Sequence, residues 1–338
     1  MTTDKQTNEV VEYLSIRGLL PVPQATSLPG GVSGETFLVE CPPTRLVMKR
    51  ALSQLLVAGD WPAKPERAMT EAAAIAFLHD MTPEHTPMLL DADPARHIVV
   101  MTAAPSEWVS WKSVLLGDLP DPTSGPVATA VALGDVLGIW HARTWHDPKV
   151  AAEFDDYEAF EQLRLAPFHR VVAAAHPPVA AAIGLCIEEL EGARDCLVHG
   201  DFSPKNVLVG ADGVMVLDFE VAHVGAAIFD LAFMSCHLAL KAMHSPLRAA
   251  LLADAGAAFL NAYLRRSPHL GGSELVGRLA VHTACLVLAR VDGQSPATYL
   301  NSRTAGASRE LALAILSAPT GTVDLWGAVG QGARRLLP

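Results

Sequence analysis

Charge is scarce in this 338-residue chain: 18% of its residues are Asp, Glu, Lys or Arg, while 50% are apolar. Disordered chains show the reverse balance, so disorder is excluded. This much apolar surface builds a large core, in one big domain or in two lobes sharing a cleft. Positive charge is scarcer than negative, with 25 Lys and Arg against 36 Asp and Glu and a net charge of −11. Sequence-independent nucleic-acid binding needs clustered cations to displace counterions, so no nucleic-acid partner is expected. Cysteine is rare too. Cys41, Cys186, Cys196, Cys236 and Cys285 are scattered without a C-x-x-C pair, which reads as buried, reduced thiols. Cys196 and His199 resemble half of a zinc site, but no second pair lies nearby.

Long apolar runs are also missing. Asp254 interrupts the stretch around Leu251 and Arg290 ends the one around Leu286, short of the ~18 uncharged residues that a membrane helix needs. The opening residues MTTDKQTNEVVEYL lack an apolar h-region, so no signal peptide is expected. Together these absences predict a cytoplasmic chain with no membrane partner. Three ligand signatures fail as well. No G-x-x-x-x-G-K-[ST] is present, GGVSGE does not match G-x-G-x-x-G ahead of a helix, and there is no H-E-x-x-H. A P-loop, a dinucleotide fold and a zinc-hydrolase helix are thereby set aside.

What remains is a change of texture along the chain. The N-terminal third reads as strands with one helix, and the rest as mostly Ala- and Leu-rich helix. The shift falls near Ala104-Pro105, which predicts an N-lobe over 1–104 and a C-lobe over 105–338. A helix is expected from about Glu9 to Arg17, then a glycine-rich turn, Gly30-Gly31-Val32-Ser33-Gly34, leading into alternating apolar residues that read as an antiparallel strand. Leu46–Lys49 continues that sheet. Glu66 to His79 has helical period, with Glu71, Ile75 and Leu78 on one face. Two short strands, PMLLD and HIVVMTA, flank the turn Asp93-Pro94. Helices are expected around 128–146, 156–175, 179–190, 231–241, 247–265 and 275–289.

One strand pair interrupts those helices and carries the chemistry. In LVHGDFSPKNVLVGADGVMVLDFE (197–220), two β-branched runs are joined by Gly-Ala-Asp-Gly, a hairpin signal. The register sets Val209 against Val214 and Val207 against Val216, which brings Asn206 beside Asp218 at one end of the hairpin. Asp201 lies five positions before Asn206, in a loop that must curl over the same end. Magnesium takes octahedral oxygen ligands, one or two from protein and the rest from phosphates and water, which Asn206 and Asp218 suit. A third carboxylate off the metal, Asp201, can orient an acceptor hydroxyl and accept its proton. Upstream stand a glycine loop, a strand-borne Lys49 and a helix-borne Glu71, in the order in which kinases use such parts on ATP phosphates.

The whole resembles the aminoglycoside phosphotransferase and choline kinase family, the small-molecule branch of the protein-kinase-like fold. The residues that carry it are LVHGDFSPKNVLV, VLDFE, FDLA (229–232), LGIWHA (137–142) and LVMKR (46–50). The resemblance implies an α+β bilobal fold, with a small antiparallel-sheet N-lobe and a large, mainly helical C-lobe. It implies a kinase moving the γ-phosphate of ATP, or alternatively GTP, to a small-molecule hydroxyl with Mg²⁺. Asp201 would be the base, Asn206 and Asp218 the metal ligands, and Lys49 the phosphate clamp paired with Glu71. Gly30, Gly31 and Ser33 would cover the phosphates, and Met101 to Ala103 would offer backbone groups to adenine. Asp230, His199 and His141 would be scaffold. His-Gly-Asp and Asp-Phe-Glu depart from the protein-kinase His-Arg-Asp and Asp-Phe-Gly, and no Ala-Pro-Glu follows, which argues against a protein substrate. A catalytically silent kinase-like module is the alternative reading, disfavoured because base and metal ligands are all present.

For the acceptor, the acidic run Glu153, Asp155, Asp156, Glu158, Glu161 suits a cationic amino sugar or amine, or else is a solvated helix start. LARVDGQSPATYL (288–300), with Arg290 and Asp292, is a second candidate near the cleft, HLALK (237–241) resembles the helix after the metal motif in sugar-directed members, and Lys205 reaches either a transferring phosphate or merely the surface. Antibiotic and endogenous metabolite both stay open as acceptors, because fold does not fix substrate.

Overall fold

The computed structural model describes residues 2–20, 24–28, 34–54, 62–270, 273–319 and 321–337. The chain divides into two compact units, one of Met1–Ser106 with Asp218–Val221, the other of Glu107–Leu217 with Ala222–Pro338.

The first unit holds α1 (Thr2–Ile16), β1 (Gln24–Ser27), β2 (Gly34–Cys41), β3 (Thr44–Ala51), α2 (Arg67–His79), β4 (Leu89–Asp93) and β5 (Ile98–Thr102). The sheet order is β1-β2-β3-β5-β4, antiparallel throughout. Strand period two divides the residues of β3 between the sheet's faces. Leu46 and Met48 join Phe37, Val39, Ile98 and Val100 in a core closed by Val10, Tyr13 and Leu14 of α1. Lys49 therefore points to the other face. There α2 buries Glu71, Ala72, Ile75 and Leu78, the face that the 3.6 period predicts. Helix α1 begins at Thr2, earlier than the expected Glu9, and β1 pairs Gln24–Ser27 with Phe37–Glu40 without any strong strand signal of its own.

The second unit starts with β6 (Val109–Ser110), α3 (Trp111–Leu116), α4 (Pro126–Thr144) and α5 (Pro148–Glu153). Then follow α6 (Glu158–Phe160), a π-helical stretch (Glu161–Arg170), α7 (Val171–Ala175), α8 (Ala180–Gly192) and β7 (Cys196–Val198). The hairpin β8 (Val207–Gly210) and β9 (Gly213–Val216) leads to β10 (His223–Gly225). The chain finishes with α9 (Ile228–His244), α10 (Ala249–Arg266), α11 (Ser273–Asp292), α12 (Ser302–Ser317) and α13 (Leu325–Arg334). The hairpin has the expected register, Val209 opposite Val214 and Val207 opposite Val216. Helix α9 is buried along nearly its whole length, including the polar side chains Asp230, His237 and Lys241 on one of its faces. Helices α4 and α10 approach closely because Gly134 and Gly138 face the backbone of Phe259 and Tyr263, where a Cβ would collide.

The single helix expected over 156–175 is instead three segments. Pro167, which cannot donate a backbone hydrogen bond, lies inside the π-helical stretch, and the Pro167 carbonyl accepts from the Gln294 amide (3.3 Å). Helices α3, α5, α12 and α13 were outside the expected set. No single helix among the described residues is long and apolar enough to cross a membrane. The cysteines are free, with all but the half-buried Cys41 in the interior.

Candidate active site

In the first unit Lys49 Nζ bridges two carboxylates, Glu71 Oε1 at 2.6 Å and Asp218 Oδ1 at 2.5 Å. Chain positions 49, 71 and 218 thus meet at one ammonium. Burial penalises that ammonium, but Asp218, Glu71 and Glu220 together outweigh the penalty and hold its pKa above that of an ordinary lysine. Glu71 is pushed the other way from a simple ion pair. Burial, helped by Asp218 and Glu220, raises its pKa to about 7 in spite of Lys49. More carboxylate than cation has been gathered here.

Glu220, the residue that departs from the protein-kinase glycine, forms a buried ion pair with Arg67 Nε at 3.0 Å. Arg67 also donates to the carbonyls of Leu52 (2.9 Å), Ala63 (3.2 Å) and Lys64 (2.8 Å), so its charge is fixed by neighbours on several sides. Asp218 itself adopts φ 72°, the left-handed region that a non-glycine residue enters at a cost. The segment 218–221 is therefore pinned on both sides of Phe219, by Lys49 through Asp218 and by Arg67 through Glu220. Neither Arg67 nor the role of Glu220 was anticipated; the Asp-Phe-Glu departure was the only sign of it.

Of the remaining first-unit candidates, Gly30, Gly31 and Ser33 lie outside the described residues. Met101 sits in β5 opposite Val47 and Leu89. The Ala103 amide donates to the Arg45 carbonyl at 3.2 Å, so it is already engaged and would have to release that bond to serve adenine.

In the second unit Asp201 is 2% exposed. Gly200 before it has φ 75°, which explains why glycine stands where protein kinases carry arginine. Asp230 braces this turn: its Oδ2 accepts from the His199 amide (2.7 Å) and its Oδ1 from the Gly200 amide (2.9 Å). His141 Nε2 lies 3.3 Å from the same carboxylate, and its Nδ1 is 3.0 Å from Tyr263 Oη. His199 Nδ1 accepts from the Asp201 amide (3.1 Å), which leaves Nε2 to donate to the Leu217 carbonyl (3.1 Å). Asp230, His141 and His199 are thus scaffold, as the resemblance implied. The Asn206 amide nitrogen donates to the Asp201 carbonyl at 3.0 Å, which orients its oxygen away from that bond. The Leu217 amide donates to the Asn206 carbonyl at 2.8 Å, and Asp218 is the next residue in the chain.

Two cations hold the Asp201 carboxylate. Arg164 Nη2 and Lys205 Nζ are each 2.8 Å from Oδ2. Lys205 therefore reaches the carboxylate rather than only the surface. Arg164 was not anticipated: it stands in the π-helical stretch, donates to the Gly200 carbonyl (2.8 Å), and nothing in its local sequence marks it. The acidic run takes no part in this arrangement. Glu153, Asp155, Asp156 and Glu158 are exposed, and Glu161 pairs with Arg170 (2.9 Å). Asp292 pairs with Arg309 Nε (2.7 Å) and His176 (2.9 Å). No group of three or more His, Cys, Asp or Glu side chains in a metal-binding arrangement occurs among the described residues.

A five-stranded antiparallel sheet carrying a buried Lys–Glu pair, together with a helical unit holding a His-Gly-Asp loop, defines the protein-kinase-like fold. Residues 24–269 match the model of the phosphotransferase enzyme family (APH), and the chain belongs to that family. Over 211 residues it is 26% identical to methylthioribose kinase 2 of Oryza sativa subsp. japonica, covering 55% of this chain and 49% of that protein. The chain thus spans about half the length of the curated relatives it matches. Among solved structures it is similar to a choline/ethanolamine kinase family protein from Mesorhizobium loti, with TM-score 0.55 and 15% identity over 99% of this chain and 100% of that one. It is also similar to the amicoumacin kinase hAmiN, solved with AMP-PNP, Ca²⁺ and Ami, with TM-score 0.54 and 12% identity over 89% and 90% of the two chains.

Proposed function

We propose that this protein is a Mg-ATP-dependent small-molecule kinase that phosphorylates a hydroxyl group. The observation that carries the reading is the buried bridge from Lys49 to both Glu71 and Asp218, which an inert sheet has no reason to assemble from three distant positions. Bound Mg-ATP supplies the phosphoryl group and a cation to gather phosphate charge. The donor set suits it. The first unit holds Glu71, Asp218 and Glu220 against Lys49 and Arg67, an excess of carboxylate that an added divalent cation relieves. Asp218 and Asn206 are the oxygen ligands in this reading, and the neighbouring kinase's AMP-PNP and Ca²⁺ support it.

Lys49 clamps phosphate oxygens, and Glu71 keeps its ammonium aimed there. Asp201 accepts the proton of the acceptor hydroxyl, worth ~10²–10⁴-fold in rate for a well-placed base. Arg164 and Lys205 hold the Asp201 carboxylate in one rotamer. His199, Asp230 and His141 position the loop without touching the reacting atoms. The glycine run 30–34 covers the phosphates, and the backbone near Met101 receives adenine.

The test is mass spectrometry of a metabolite extract spiked with aminoglycosides and incubated with the protein, Mg²⁺ and γ-¹⁸O-labelled ATP, with Asp201→Ala as control. A labelled product that the control lacks supports both the reaction and the base. Equal labelling by the control removes Asp201 from the role. No labelled product, with Mg-ATP still bound, leaves the silent nucleotide-binding module.

A further inference from the structure

Lys241 is 1% exposed, in the last turn of α9, and among the described residues its one hydrogen bond is a long one (3.4 Å) to the His237 carbonyl of its own helix. A buried ammonium ordinarily has a carboxylate beside it, because desolvating a charge without a counter-charge is costly. Lys241 has none among the described residues. What stands near it is the face of Tyr299, with Nζ 5.3 Å from the ring centre, and further cations. His237 on the same helix feels Lys241, Arg290, Lys205 and Lys112, all of one sign.

Arg290 of α11 repeats the pattern. It is mostly buried, bonds to the carbonyl and hydroxyl of Ser295, and leaves Nε without a partner. The Tyr299 hydroxyl is likewise buried and unpartnered. Arg290 lies over the Phe168 ring (5.9 Å), and Arg164, which holds Asp201, lies over the same ring (5.8 Å). The cluster is therefore continuous with the loop that carries Asp201, whose carboxylate acts on Arg290. Buried donors that nothing in the protein satisfies mark a place where a ligand's acceptor atoms belong.

We infer that the acceptor of this enzyme carries an oxyanion, a carboxylate or a phosphate, which seats on Lys241, Arg290 and the Tyr299 hydroxyl while its own hydroxyl meets Asp201. The inference rests on the phosphotransfer reading for the word acceptor, though the anion site stands without it. It differs from the cationic acceptor that the acidic run would suit, since Glu153, Asp155, Asp156 and Glu158 are exposed and this cluster would repel an ammonium. Transfer consumes no further reagent: the acceptor O–H proton goes to Asp201, the new P–O bond forms, and the bond from the γ-phosphorus to ADP breaks.

The experiment follows thermal unfolding of the full chain, free of nucleotide, in inorganic phosphate and in acetate, each against chloride at equal ionic strength. Wild type, Lys241→Met, Arg290→Met and, as a control for anion binding at the other unit, Lys49→Met are compared. The expected result is an anion-dependent rise in melting temperature that survives Lys49→Met. Lys241→Met and Arg290→Met should each weaken the fitted anion dissociation constant at least ~30-fold, the loss typical of removing one member of a buried charge pair. Phosphate acting alone assigns a phosphate ester, acetate alone a carboxylate, and both together either oxyanion. A rise that persists in Lys241→Met and Arg290→Met, one lost in Lys49→Met, or no rise in wild type overturns the inference. Lys241→Met removes an uncompensated buried charge, so it is expected to fold, and Lys241→Arg, which keeps the charge, should restore part of the response. Because no ATP is present, failure of the phosphotransfer reading leaves every one of these outcomes readable.

Discussion

The two units deal with buried charge in opposite ways. In the first, Glu71, Asp218 and Glu220 outnumber Lys49 and Arg67, and the groups are held in close pairs. In the second, Arg164 and Lys205 hold a single carboxylate, Asp201, and Lys241 and Arg290 lie buried with no carboxylate paired to either among the described residues. A folded protein that keeps uncompensated buried charge gives up stability, since each such group prefers water. Both imbalances make sense if the missing charge arrives with ligands, a divalent cation for the first and an oxyanion for the second.

The strongest way to break this comparison is Asp201→Ala. Turnover is expected to fall ~10²–10⁴-fold, the share of a general base, while Mg-nucleotide titration by calorimetry is unchanged. A fall in nucleotide affinity instead would mean that Asp201 serves the first set of charges. Arg67→Met comes next. It strands Glu220 in the interior, and a buried charge deprived of its partner costs ~3–5 kcal/mol. Urea unfolding should show that loss, and a change inside experimental error would show that Glu220 finds water or a proton at little cost.

Asp218→Ala sharpens the first half. It should abolish the magnesium-dependent part of nucleotide binding by calorimetry, and an unaltered magnesium dependence would remove Asp218 from the metal.

The smallest effect is the one most specific to the second unit. Burial, followed by the repulsion of Lys112, lowers the Lys241 pKa to about 7 from 10.5, with Cys236 acting the other way and Arg290 adding a smaller repulsion. Tyr299 and the neutral His237 complete its surroundings. In the unfolded chain Lys241 keeps its proton up to 10.5, whereas the native state sheds it near 7. Between those values the unfolded state binds more protons, so Lys241 adds stability as pH rises, by at most ~1.4 kcal/mol per pH unit. Below pH 7 its penalty is fully present. Lys241→Met should remove that slope, which the difference between wild-type and mutant urea midpoints from neutral to alkaline pH measures. Parallel curves would mean that Lys241 is charged and compensated.

Much of this was readable from residue order, for local reasons. Gly-Ala-Asp-Gly between β-branched runs sets a hairpin register by turn geometry alone, and that register is the observed one. The 3.6 period put Glu71 on the buried face of α2, and the order of the kinase parts paired it with Lys49. The bracing roles of Asp230 and His199 followed from the motif around them. Arg164 and Lys241 were not readable in this way. An arginine in a helix looks the same whether it meets solvent or Asp201, and Lys241 looks like an ordinary polar break in an apolar helix. The breakup of 156–175 depended on Pro167 and on the backbone bond from Gln294, a partner far along the chain. The acidic run had two readings from sequence, and the exposure of Glu153, Asp155, Asp156 and Glu158 fits the solvated helix start, because carboxylates there are at home in water.

The sequence alone determined the elements, the hairpin, the order of the kinase parts and the identity of the base and metal-ligand candidates, because periodicity and turn chemistry act over a few residues. Only the tertiary structure decided which charges are compensated. Whether an ammonium has a carboxylate beside it depends on side chains brought together from positions such as 164, 201, 241 and 290, and the energy of a buried charge is set by those neighbours rather than by its own sequence.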